Sequence, residues 1–163
     1  MTALLIVVQL VTKAAGQFLT GSLVNLILIT AGLTGGLACG LTVAALSPIL
    51  AFFLGIGPAL PHLIPFVILG NLVIVLVYWL VMEKTPLGTI PAWSVGILAG
   101  AVAKTLVLWL GIVKLALPLI PGLKPQQIQM MSAMFSWPQL VTALIGGIVA
   151  PLLVPVLKRA IKS

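Results

Sequence analysis

Three lysines stand inside otherwise apolar runs: Lys13 in "LLIVVQLVTKAAG", Lys104 in "LAGAVAKTLVLWL" and Lys114 in "LGIVKLALPLI". An ionised side chain in hydrocarbon costs about 3 kcal/mol or more, so it needs a partner or a task. The chain has one acidic residue, Glu83, directly beside Lys84, and no other carboxylate side chain exists to pair with the three. Lysines placed around a water-accessible pocket would bind an anionic or carbonyl-rich solute, and the missing counter-ion would be the ligand. The plainer reading is that Lys13 and Lys114, each near the end of its run, extend their heads to the interface. Lys104 is nearest mid-run, where that is hardest, and there it donates to backbone carbonyls, is held neutral by desolvation or meets a ligand.

Further polar residues gather toward the same side. Gln9, Lys13 and Gln17 recur at i, i+4 and i+8, which on one helix stacks them on one face. Asn25 opens the second run, His62 ends "GPALPH", and Gln126, Gln127 and Gln129 precede the last run. Within "FSWPQL", Pro138 leaves the carbonyl of the preceding turn unpaired and bends the chain, which makes Gln139 the stronger candidate beside Ser136. Trp137 either stacks on a ring or packs at the interface. Asn71, about two turns into its run, needs a partner, which is either a neighbouring helix or a ligand. A histidine at a loop end is more often a plain surface residue than a ligand.

Reaction chemistry finds little to use. The sequence holds no Walker A motif, no carboxylate pair, no His/Cys cluster and no Ser/His/Asp set. The expectation is a protein that is not an enzyme and has neither metal nor cofactor. Uphill movement of a solute would draw on a partner's energy, because proton coupling would usually show an intramembrane Asp or Glu.

What must position these residues follows from composition. Of 163 residues 62% are hydrophobic and only 6% charged, with mean hydropathy +1.37, against about a quarter charged in globular domains. The solvent for such a surface is lipid. The apolar runs are continuous and lack the alternation of a membrane barrel. We therefore expect an all-α integral membrane bundle, one transmembrane domain over 1–163, with six spans near 3–19, 23–34, 36–53, 63–82, 92–117 and 128–157. The second is too short to cross unless it is tilted or extended through its glycines. The start lacks a basic n-region and reads as a retained span rather than a cleaved signal.

The net charge of +7 forms no basic stripe, which argues against nucleic acid. Cys39, the single cysteine, says nothing of compartment. Lys158, Arg159 and Lys162 in the tail, with Lys84 between spans four and five, place both termini in the cytoplasm. Tyr78 and Trp79 then fit the inner interfacial belt. "GIGPALPH" falls on the outside, as a stiff turn at the rim of a pocket.

Small residues at four-residue spacing, Gly32, Gly36 and Gly40, with Thr12 and Gly16 more loosely, allow close helix approach. Packing within the bundle is the more frequent use of such spacing, and docking of another membrane subunit is the alternative.

Six short spans, together with "ALSPILAFFLGIGPALPHLIPFVILGN" and "MFSWPQLVTALIGG", resemble the substrate-binding (S) components of energy-coupling-factor (ECF) vitamin transporters. The likeness covers nearly the whole chain in layout and about forty residues in motif. It implies a six-helix subunit of a prokaryotic plasma membrane that captures a vitamin or precursor at high affinity from outside. Its partners would be a membrane-embedded scaffold subunit and two cytoplasmic ATPases, and it would topple in the membrane to release substrate inward. In that family an Ala-rich AxxxA face on span one commonly meets the scaffold, and here the nearest equivalent is the departure Thr12 and Gly16. A small membrane scaffold or assembly protein without a ligand is the alternative from another class.

Overall fold

A computed structural model of the chain describes residues 1–58 and 60–162, with side chains as far as residue 160. Ala59 of the "GIGPALPH" turn, Ser163 and the head of Lys162, which entered the orientation argument, lie outside the described residues. Helix α1 is Thr2–Thr12, followed by a 3-10 turn at Lys13–Ala15; α2 is Gln17–Thr34 and α3 Gly36–Phe53. A second 3-10 turn at Pro61–Leu63 leads into α4, Ile64–Lys84. Helix α5, Thr89–Leu108, continues as a π-helical stretch, Trp109–Ala116, and a last turn, Leu117–Leu119. Helix α6 is Pro125–Met134 and α7 Trp137–Lys162. No strand occurs among the described residues.

The reason is the solvent. In hydrocarbon each backbone N–H and C=O must be satisfied within the segment, and a helix does this without neighbours. Five helices are long and apolar enough to cross: Gln17–Thr34, Gly36–Phe53, Pro61–Lys84, Thr89–Leu119 and Pro125–Ala160. Large apolar side chains such as Val11, Phe53 and Ile90 point outward on several helices. The chain is an all-α, multi-pass membrane bundle.

The first two spans differ from the expectation. The sequence runs span one to Leu19 and starts span two at Leu23, whereas the break falls at Gly16 and Gln17–Leu19 belong to α2. Gly16 adopts φ +91°, a left-handed conformation open to glycine and strained for other residues. Thr20 Oγ1 stitches the reversal by donating to the carbonyl of Thr12 at 2.9 Å. An apolar count does not see a glycine that turns. With the break moved, α2 has 18 residues, or about 27 Å. What remains of span one is a short apolar helix, Thr2–Ala15, so there are five spans of full length and one shorter helix rather than six alike.

Close approach of small residues holds the bundle together. A methyl group at Gly40 would lie 2.6 Å from Gly32 Cα and 2.7 Å from Val75 Cγ1. Gly32 and Gly40 are buried between α2, α3 and α4, which leaves them no surface to offer a partner; their spacing serves internal packing. Tyr78 is 1% exposed and lies against Gly96, Gly100 and Gly147 with Trp93 nearby. It is therefore a core residue and not part of an interfacial belt, because three glycines on α5 and α7 open a slot the size of its ring. Trp79 is only partly buried, with Lys84 Nζ 5.1 Å from its ring centre.

Glu83 and Lys158 pair at 3.2 Å, joining the last turns of α4 and α7 at one end of the bundle. Both side chains are nearly half exposed, so the pair adds little stability. It does mark that end. The starts of α2, α4 and α7 and the finish of α3 lie at the other.

Candidate functional site

At the end opposite Glu83 the helices part around a cavity of about 430 Å³, within the size range of small-molecule sites. Helix α1 and its 3-10 turn contribute Gln9 and Lys13; α2 contributes Gln17, Thr20 and Asn25; α3 contributes Ser47 and Pro48. Asn71 comes from α4, Lys104 from α5, Met130, Met131, Met134 and Phe135 from α6 and the bend after it, and Gln139 from α7. Ile56, Gly57 and Pro58, in the turn after α3, line it as well.

Its floor is a buried lysine. Lys104 is 4% exposed and donates from Nζ to Asn25 Oδ1 at 2.6 Å and to Asn71 Oδ1 at 2.8 Å. Asn25 Nδ2 faces Thr142 Oγ1 at 3.4 Å, and Thr142 Oγ1 donates to the carbonyl of Gln139 at 3.1 Å. These bonds tie α2, α4, α5 and α7 together through one lysine side chain. Asn25 lies eight residues past the start of α2, about 12 Å deep. It is a mid-helix residue rather than the opening of a span, because α2 starts earlier than the hydropathy indicates. An ionised side chain this deep costs several kcal/mol even when paired, and both partners of Lys104 are neutral amides.

The rim is latched by side chains. Lys13 Nζ donates to the carbonyl of Gly55 at 2.8 Å, joining α1 to the turn after α3. Gly55 has φ +65° and Gly57 packs against Phe52 and Ala51, so the glycines of "GIGP" shape a tight reversal there. On the far side Pro138 has no N–H to offer the carbonyl four residues back, that of Met134. Gln17 Nε2 supplies that oxygen at 2.7 Å and Gln139 Nε2 at 3.1 Å. The expected free carbonyl at Pro138 is thus present and doubly capped. It sits in the first turn of α7, where a proline costs little.

Of the residues singled out from sequence, Lys13, Gln17, Asn25, Asn71, Lys104 and Gln139 meet at this cavity. Gln9, Lys13 and Gln17 converge there too, but from α1, its 3-10 turn and α2 instead of one helical stripe, since Gly16 interrupts the helix. Three candidates lie elsewhere. His62 is exposed in the turn before α4, on a separate shallow apolar pocket. Lys114 is exposed with Nζ 4.9 Å from the Trp109 ring, a pair five residues apart that one π-helical turn brings together. Trp137 is 63% exposed and packs against Phe18 at 5.7 Å. Of the docking candidates, Thr12 turns its hydroxyl back onto the carbonyl of Val8. Gly16 and Gly36 remain exposed at reversals.

No family model, curated protein or solved structure matches the chain. The chemistry of the cavity rests on its own residues. Among the described residues no group of three or more His, Cys, Asp or Glu side chains could hold a metal. The cavity instead offers hydrogen-bond donors, amide oxygens and an apolar wall, the equipment of a binding site.

Sequence reasoning missed that wall. Met130, Met131 and Met134 read as ordinary apolar residues, and the glutamines around them drew attention; Gln127 instead caps its own helix, accepting from the Lys124 N–H at 3.0 Å. Thr142, 1% exposed, was also missed. Its signal is its place three residues after Gln139, on the same helical face.

Proposed function

We propose that this protein is the substrate-capture subunit of an ATP-driven importer of the energy-coupling-factor kind, binding a vitamin or related small molecule. One observation carries the reading: a cavity at one end of a membrane bundle whose floor is a buried lysine lacking any acidic partner. Such a residue in a span is a functional candidate by default.

Orientation supports the same reading. Lys84, Lys158, Arg159 and Lys162 lie toward the end marked by Glu83, against Lys13, Lys114 and Lys124 toward the other, and we read the end with four as the cytoplasmic one. The cavity then faces outward, toward the source of solute. ATP hydrolysis belongs to two cytoplasmic ATPases, reached through a membrane-embedded scaffold subunit in a prokaryotic plasma membrane. Thr12 in the short first helix and the exposed Gly16 and Gly36 are the docking residues retained.

The test is uptake of labelled vitamins by cells expressing the chain with and without an ATPase module, paired with native mass spectrometry of the purified protein. The expected result is a bound small molecule in both preparations and accumulation only with the module. A protein that carries and binds no small molecule sinks the proposal in favour of a ligand-free membrane scaffold.

A further inference from the structure

Building on the capture reading, we infer that the captured molecule is a small monoanion with an apolar body, its anionic oxygen on Lys104 and its body against the methionines of α6. In its ammonium form Lys104 has three N–H donors. Two are taken by Asn25 and Asn71, and Lys104 itself lines the cavity, so the third serves the ligand. The Asn25 amide nitrogen is engaged with Thr142 Oγ1, which keeps its oxygen turned to the lysine.

Amide oxygens solvate a cation without neutralising it. The chain's one carboxylate side chain, Glu83, is paired with Lys158 at the opposite end of the bundle. The countercharge must therefore arrive with the ligand, and a buried ion pair also repays part of the cost of burying the lysine. One buried cation fits one anionic group. Lys13, the other cation on the cavity, is exposed and holds the Gly55 carbonyl. Met130, Met131, Met134 and Phe135 form a polarisable apolar wall that moulds to the ring or chain of an apolar body.

The test uses the full chain in lipid nanodiscs and three acid/neutral pairs that share a body: pantothenate and panthenol, biotin and biotinamide, nicotinate and nicotinamide. Titration calorimetry should find an acid bound about a hundredfold more tightly than its neutral partner. Lys104→Met should abolish that preference. Because that variant empties a hydrogen-bonded site and could misfold, Asn71→Asp supplies the control. It sets a carboxylate of nearly equal size beside Lys104, so the chain should fold with an unlowered Tm and bind the acid at least about tenfold more weakly.

A neutral partner bound as tightly as its acid, or wild-type affinity for the acid in Asn71→Asp, overturns the monoanion and leaves solute capture standing. If no panel member binds, the molecule released from the purified protein in native mass spectrometry decides: a monoanion supports the inference, and a neutral or cationic molecule overturns it. A chain that binds and releases nothing overturns both.

Discussion

Lys13 Nζ lies 2.8 Å from the carbonyl oxygen of Gly55, so the end of α1 and the turn after α3 close one side of the cavity mouth together. A charge-assisted hydrogen bond at an exposed site contributes about 1 kcal/mol, which is about fivefold in a rate. We expect Lys13→Met to speed ligand release by about that factor with little change in Tm. Dissociation kinetics and amide exchange at residues 55–57 measure it. Unchanged kinetics with unchanged exchange would remove the latch.

Gln17 and Gln139 share one acceptor, the Met134 carbonyl that Pro138 leaves free. Either glutamine alone still caps it, so Gln17→Leu and Gln139→Leu should each cost about 1 kcal/mol or less, while the double variant leaves the oxygen bare and costs about 1–3 kcal/mol more than either. A double-mutant cycle by thermal unfolding reads this coupling. Strict additivity would show that the two caps are independent.

Two glycines from the same four-residue series should respond differently. Gly40→Ala pushes a methyl group into the backbone of Gly32, which cannot move aside as a side-chain tip would, and overpacking of this kind costs about 1–3 kcal/mol while spreading α2 from α3. Gly36→Ala meets nothing within 4 Å but must hold φ +84°, at about 1–2 kcal/mol of strain with the packing intact. Spin-label distances between α2 and α3 should widen only in the first. Equal widening in both would refute the assignment of Gly32 and Gly40 to internal packing.

The Tyr78 hydroxyl is buried against Gly147 and has no hydrogen-bond partner among the described residues. Removing an unsatisfied buried hydroxyl relieves a desolvation cost of about 1–3 kcal/mol. Tyr78→Phe should thus unfold at the same temperature as the wild type or higher. A clear drop in Tm would reveal a partner for the hydroxyl.

Hydropathy made the bundle legible, together with the lysines that disobeyed it. Lys104 stood out because a charge in mid-span has few explanations, and Asn71 because its depth demands a partner. Pro138 and Gln139 were readable through backbone arithmetic, a missing N–H and an orphaned carbonyl. Gly16 was not, since a glycine inside a helix and a glycine that turns the chain look alike until φ is known. The error moved Asn25 from mid-helix to a helix start. Tyr78 was misplaced because its slot is built by Gly96, Gly100 and Gly147, which lie far from it in sequence. The methionine wall escaped for a similar reason: apolar residues facing lipid and apolar residues facing a ligand have the same composition.

The short first helix also shapes the lipid around it. Thr2–Ala15 rises only about 22 Å, against a hydrocarbon thickness of about 30 Å, and Leu4, Val7, Leu10 and Val11 on it face outward. Acyl chains on that flank must compress to meet it, at a fraction of a kcal/mol for each ångström of mismatch. The molecule therefore sits in the bilayer with one thin side, and membranes of longer acyl chains favour rocking it toward that side.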